Sequence, residues 1–172
     1  MIRISQKQIP RCARDDGDKI IEVEVETRKA ALCIIRREDA FLVAEIRDPQ
    51  TGLVLHRPPG GGIEDGESPE QAVRRELREE LGITLTAVRS LGTIDHVWLW
   101  NGREVREQAW LFLANPLDDA RVSRGETPDL VEADGQRIKT FWRPIQDAAA
   151  DLPPLCPSAL SDFLKSAADI YA

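Results

Sequence analysis

Cysteine is scarce, and what there is suits no framework. Cys12, Cys33 and Cys156 are odd in number and far apart. They form no CxxC pair, so a zinc-ribbon pattern and a disulfide scaffold are both excluded. Reduced thiols are expected, with Cys33 as a buried strand residue. Long apolar runs are lacking as well. Nothing reaches the roughly 20 residues that span a bilayer, and the opening MIRISQKQIPRCARDDGDK has no apolar signal core. A cytoplasmic protein with no membrane partner is the expectation. Excess positive charge is missing too. Against 23 Lys and Arg stand 30 Asp and Glu, a net charge of -7. No broad phosphate-neutralising surface follows from that balance, so no nucleic-acid partner is expected. The same balance suits a protein that gathers divalent cations. GxxxxGK[ST] is absent, so the glycines Gly60, Gly61 and Gly62 do not make the phosphate loop of an ATPase.

What is present is enough for one domain. The chain has 172 residues, 42% apolar and 31% charged, an ordinary globular mix. No repeat or linker divides it. Residues 1–18 read as a polar extension and 19–172 as a single domain. Residues 20–26, IIEVEVE, alternate as a half-buried strand does. Residues 30–35, AALCII, are continuously apolar and predict a strand covered on both faces. Further strands are expected at 40–46, 53–57, around 84–95, at 104–114 and at 137–145, with a loop over 115–137. A second amphipathic helix is expected over 157–168, with Leu160, Phe163 and Leu164 inward. Strands interspersed with two helices predict an α/β or α+β layer structure.

The helix between Ser68 and Gly82 holds the most information. Ser68 suits the N-cap, Pro69 the first helical position, and Gln71 completes a capping box. Gly82 suits the C-cap, with Ile83 behind it. At 100 degrees per residue, Val73, Leu77 and Leu81 form one buried stripe. Glu76, Glu79 and Glu80 crowd one flank, while Arg74 and Arg78 fall on the other. Like charges at this spacing repel, and a merely solvated helix would interleave its acids and bases. A hard divalent cation such as Mg²⁺ would hold such carboxylates together and bridge to phosphate oxygens. Judged on the helix alone, a solvated acidic face is the equal alternative.

The spacing runs Gly61, five residues, Glu67, seven residues, Arg75-Glu76-Leu77, one residue, Glu79-Glu80, one residue, Gly82-Ile83. This resembles the Nudix box at every specified position. Chance agreement at nine sites is on the order of 10⁻⁹. The resemblance implies a Nudix-type α/β/α sandwich, a mixed β-sheet between helices. It also implies hydrolysis of a nucleoside diphosphate linked to another moiety, with Mg²⁺, or Mn²⁺, as cofactor. By matching position, Glu76, Glu79 and Glu80 are the catalytic metal ligands, and Gly61 offers its carbonyl to the metal. Glu67 and Arg75 form a brace between loop and helix. A nucleoside triphosphate or nucleotide sugar is the leading substrate class, and a homodimer is left open. Two alternatives stand beside this. One is a non-catalytic nucleotide-sensing module, which would not need the full set of glutamates. The other is a prenyl diphosphate isomerase, for which Cys33 is a poor nucleophile.

Outside the box, Glu104, Glu107, Glu126 and Glu132 are candidates for a further metal ligand, with Glu107 preferred at the entry to a strand. Arg57, at a strand end before Pro58-Pro59, is the candidate phosphate-binding residue; a surface salt bridge is the other reading. Trp98 and Trp100 share one strand face; sheet packing is expected, base stacking the alternative. His56 and His96 lack metal spacing, and Trp142 is expected in the core. Sequence marks that separate ADP-ribose, dinucleoside-polyphosphate and NADH relatives are absent.

Overall fold

The computed structural model describes residues 27–114, 126–145 and 152–166. The polar extension 1–18 and the strand expected at 20–26 lie outside these residues. The elements are β1 (Thr27–Arg37), β2 (Ala40–Arg47), β3 (Val54–Arg57), β4 (Gly60–Gly62), α1 (Pro69–Leu81), β5 (Val88–Trp100), β6 (Arg103–Ala114), β7 (Leu130–Val131), β8 (Arg137–Ile138), β9 (Thr140–Pro144) and α2 (Leu160–Ser166).

Seven strands make one mixed sheet. Its spine runs β3-β2-β1-β6-β5, with β4 paired to β1 and β9 to β2. The β1–β6 pair is parallel, with Arg28 opposite Glu107 and Ala31 opposite Trp110. β5 and β6 form a long antiparallel hairpin. Residues Ala30 to Ile35 of β1 are fully buried, as a central strand covered on both faces must be. Alternation sends Ala31, Cys33 and Ile35 to one face, where Val73, Leu77 and Leu81 of α1 pack. Leu32 and Ile34 face the other way, against Leu160, Phe163 and Leu164 of α2. The fold is therefore mixed α+β, with one helix on each face of a central sheet among the described residues. Each fully buried leucine in these layers is worth about 1.5–3 kcal/mol.

Three expectations need correcting. The glycines after Pro59 are not a loop but the short strand β4, paired with Ala30, Ala31 and Leu32. Glycine carries no side-chain pattern by which a strand can be recognised. The strand expected at 84–95 begins at Val88 and runs on to Trp100. The polar segment before 137 contains β7, which pairs with β8 apart from the main sheet. The helix α1 is bounded as its capping residues dictate. Gln71 donates its amide to the Ser68 side chain, and Ser68 donates its own to Gln71 Oε1 at 2.7 Å. At the other end Gly82 turns left-handed with φ 67, and the Ile83 amide closes onto Leu77. Both ends fixed means that the azimuth of every glutamate on α1 is fixed.

Two hairpin tips are tied together. Asp48, in the β2–β3 turn, accepts the amide of Asn101 at the β5–β6 tip at 2.6 Å. The other oxygen of the same carboxylate accepts the amides of Gln50 and Thr51 and the Thr51 hydroxyl. These hydrogen bonds, led by that from Asn101, hold the Asp48 carboxyl below the usual carboxylate range.

Candidate active site

α1 presents its acids beside β4. The approach is so close that a Cβ on Gly61 would lie 2.5 Å from Glu76 Oε1. Gly61 is thus required by a side chain and not by a turn. Its neighbour Gly60 has φ +128, and a Cβ there would run into the Ala31 carbonyl. The two glycines serve different purposes: Gly60 lets the sheet pair, and Gly61 lets Glu76 come down onto it.

Arg75 is the hub of the loop–helix junction. Its Nη2 donates to Glu67 Oε1 at 2.7 Å and to the Gly62 carbonyl at 2.9 Å, and its Nε donates to Glu67 Oε2 at 3.2 Å. The remaining Nη1 reaches Glu76 Oε1 at 3.0 Å and Glu79 Oε2 at 3.4 Å. Glu67 is held below its ordinary range, chiefly by the Arg75 hydrogen bonds. Arg74 is used elsewhere, on Glu70 and the Leu85 carbonyl.

Glu80 stands in the opposite condition. Burial, then the charge of Glu76, then that of Glu132 push its carboxyl up to about 8. Glu132 is itself raised by burial, by Asp134 and by Glu76. Of the acids outside the box, Glu132 is therefore the one that converges on the box glutamates. Sequence alone preferred Glu107, because a strand end looked better aimed than a loop. Nothing in the spacing indicates that the chain from β7 returns to α1.

Glu107 is fully buried and faces cations. Arg57 Nη2 donates to its Oε1 at 2.7 Å, His96 Nε2 lies 3.0 Å from the same oxygen, and Arg28 Nε approaches Oε2 at 3.6 Å. Burial pushes this carboxyl up, but His96, Arg57 and Arg28 outweigh burial and hold it at about 2. Arg57 and Glu107, read separately in the sequence, form one buried pair. Arg57 also contacts Cys156 Sγ at 3.4 Å. His56 and His96 are both buried; His56 lies 3.1 Å from Arg143. Trp142 packs against the core as expected. Trp98 and Trp100 do not: neither belongs to an apolar core, and both border the site. Burial pushes the Cys33 thiol far above its usual range, so it offers no nucleophile.

One open cleft of about 1180 Å³ brings these parts together. Glu76, Glu79, Glu80 and Glu132 line one part, Arg28 and Arg57 another, and Trp98 and Trp100 a third. Among the described residues no three acidic, His or Cys side chains already stand as a metal-binding group, since Arg75 occupies oxygens of Glu76 and Glu79. The donor set nevertheless fits a hard cation. Its side chains offer carboxylate oxygens alone; burial first, and then the charges of Glu76 and Glu132, raise the affinity of Glu80 for a proton, and a cation would offset that charge. Among the described residues no helix is long and apolar enough to cross a membrane.

Residues 26–162 match the NUDIX domain family. An RNA pyrophosphohydrolase of Photobacterium profundum is 37% identical over 120 residues, covering 61% of this chain and 67% of that one. One of the same name from Vibrio cholerae is 34% identical with the same coverage. Among solved structures, a MutT NUDIX hydrolase from Burkholderia pseudomallei superposes with a TM-score of 0.56 at 27% identity, covering 81% of this chain and 97% of its own. A MutT protein from Methanosarcina mazei Go1 gives a TM-score of 0.62 at 20% identity over 87% and 99%, and speaks for the fold alone.

Proposed function

We propose, on the premise that this chain belongs to the Nudix family and is a Nudix pyrophosphohydrolase, that it uses Mg²⁺ to cleave the pyrophosphate linkage of a small nucleotide, a nucleoside triphosphate or a nucleotide sugar. The observation carrying this reading is that Glu76, Glu79, Glu80 and Glu132 share one cleft with Arg28 and Arg57. Acids there gather a cation, and arginines beside them gather phosphate.

Glu76, Glu79 and Glu80, with the Gly61 carbonyl, are assigned to hold the cation, and Mn²⁺ fits the same donors. Glu132 joins them from outside the box. Bound there, the cation offsets phosphate charge and lowers the pKa of a water. The chain supplies the remainder. Arg57 and Arg28 bind the phosphates, and the charge of Arg57 is kept in place by Glu107. In this reading Glu107 serves Arg57 rather than the metal. Water attacks one phosphorus, the bridging P–O bond breaks, and its electron pair leaves with the departing phosphate. The proton of that water goes to a glutamate oxygen. Glu80, which lines the cleft one helical turn from Glu76, is our assignment. Arg75 and Glu67 do not touch the substrate; they hold strand β4, which carries Gly61, and the segment after it against α1.

The relatives named RNA pyrophosphohydrolase favour a second reading, in which the pyrophosphate is borne by RNA. The net charge of -7 runs against an extended RNA contact. A panel decides: nucleoside triphosphates, nucleotide sugars and a 5′-triphosphorylated RNA, each with Mg²⁺ and products identified by mass. Cleavage of the small nucleotides at the pyrophosphate supports the first reading. Turnover of the RNA alone replaces it with the second, and no turnover of any member defeats both.

A further inference from the structure

The four tryptophans divide into two pairs. Trp110 and Trp142 pack against the apolar core beneath α1. Trp98 and Trp100 belong to neither core and are only partly buried, on the wall of the cleft. Two half-buried indoles forfeit part of the apolar gain that full burial gives such a side chain. The fold does not need them there.

They are also held firmly. The ring centroids of Trp98 and Trp100 are 5.1 Å apart with planes at 45°. The His96 ring lies 6.4 Å from Trp98 at 25°, and Arg57 Cζ is 5.8 Å from the Trp98 centroid. His96 and Arg57 are both tied to Glu107. One buried carboxylate therefore fixes two of the three groups around Trp98. Taking a carboxylate and a guanidinium out of water is expensive, and their attraction often does no more than offset it. Besides what it adds to stability, such a cluster immobilises an aromatic surface. Rigid surfaces bind because little ordering remains to be done.

The chemistry of the cleft narrows the occupant. Beside Trp98 the place of a cation is already taken by Arg57, 5.8 Å from the ring centroid, which disfavours a quaternary ammonium guest there. Phosphate has no flat face for an indole to cover. A neutral, planar, π-bearing ring joined to phosphates fits both parts of the cleft. We propose that Trp98 and Trp100 form a stacking platform for the nucleobase of the substrate, with Glu107 as the positioning residue that sets it through His96 and Arg57. The platform rests on the reading of this cleft as the pyrophosphate-cleaving site and names how that site takes the nucleoside.

The test is a fluorescence titration of the full chain with Mg²⁺ and probes that are not cleaved. AMP and UMP are expected to quench the intrinsic tryptophan emission, and ribose 5-phosphate and inorganic phosphate to leave it unchanged. In Trp98→Leu and Trp100→Leu the nucleotide-dependent quench should shrink, and in the double variant it should vanish, although Trp110 and Trp142 remain. With a nucleotide substrate, each single variant should raise KM roughly 5- to 150-fold, the range for losing one base-stacking partner, while kcat stays within about threefold. Glu107→Gln should raise KM in the same direction without changing the Mg²⁺ concentration needed for half-maximal rate. An increased Mg²⁺ requirement would return Glu107 to the metal and overturn its positioning role. Equal quenching by ribose 5-phosphate, or an undiminished quench in the double variant, overturns the platform. Turnover with unchanged KM in the tryptophan variants overturns it while leaving the hydrolase reading intact. If no substrate is turned over, the quench still decides.

Discussion

Arg75 grips Glu67 with two nitrogens on two oxygens, at 2.7 and 3.2 Å, across eight residues of chain. Only a guanidinium makes this fork. Arg75→Lys and Glu67→Gln should each lower kcat/KM by loosening β4, which carries Gly61, and the segment after it from α1. If the pair is one brace, the double variant will be no worse than the poorer single one. A double-mutant cycle on kcat/KM measures this, and strictly additive losses would mean that the two residues act independently.

Gly60 and Gly61 should fail in different ways. A Cβ at Gly61 meets only the far end of the Glu76 side chain. Gly61→Ala should therefore keep the melting temperature within a few degrees while lowering kcat at least tenfold, by moving Glu76. A Cβ at Gly60 meets the backbone of Ala31, in a conformation that L side chains rarely adopt. Gly60→Ala should lose stability first. Thermal melts read beside initial rates separate the two, and the reverse ranking would refute the assignment.

The glutamates themselves bear the chemistry in this reading. Glu76→Gln and Glu80→Gln should each reduce kcat by about 10²-fold or more. Both should be as stable as the parent chain, or more stable, in excess chelator, since repulsion along α1 falls. Chelator should abolish turnover of the parent chain with the circular dichroism spectrum unchanged. Full turnover in EDTA would end the metal reading.

Two carboxyls, Glu80 half-buried and Glu107 buried, give stability opposite slopes with pH. Glu80 has its folded value raised from 4.5 to about 8. The folded state thus holds a proton that the unfolded chain has already released. Its contribution is complete below about pH 4.5, declines upward, and is gone once pH passes about 8. Metal-free melts should fall across that window, and Glu80→Gln should flatten them. Cation binding in the same window should release a proton, which calorimetry in buffers of different ionisation enthalpy detects. Glu107 behaves inversely. Its folded value is about 2, so its contribution is present above 4.5 and is lost as pH falls toward 2. A metal-free stability profile flat from about pH 5 to 8 would contradict the Glu80 value.

The sequence discloses what is local. Ser68, Gln71 and Gly82 mark the ends of α1 because caps are made within a few residues. The sorted charges of α1 are legible because helical geometry converts spacing into direction. Glu132 is illegible because it reaches Glu80 only through the fold of a polar segment with no periodic signal. The Arg57–Glu107–His96 cluster is illegible for a related reason. It depends on β1 pairing in parallel with β6 and on the register of the β5–β6 hairpin, and neither is set by neighbours in the chain. Alternation places Trp98 and Trp100 on a common face, but not which layer covers it. Among the described residues, Leu160, Phe163 and Leu164 of α2 cluster with Ile94 and Leu111 and not with the indoles.

The tie between Asp48 and Asn101 joins two hairpins that would otherwise move as separate fingers. Pro49 and Arg47 on one and Trp98 and Trp100 on the other all border the cleft. Fastened at their tips, the hairpins make a caliper set to one gap rather than a jaw that closes on what it finds. The separation of the two walls is then a property of the fold, present before any guest arrives.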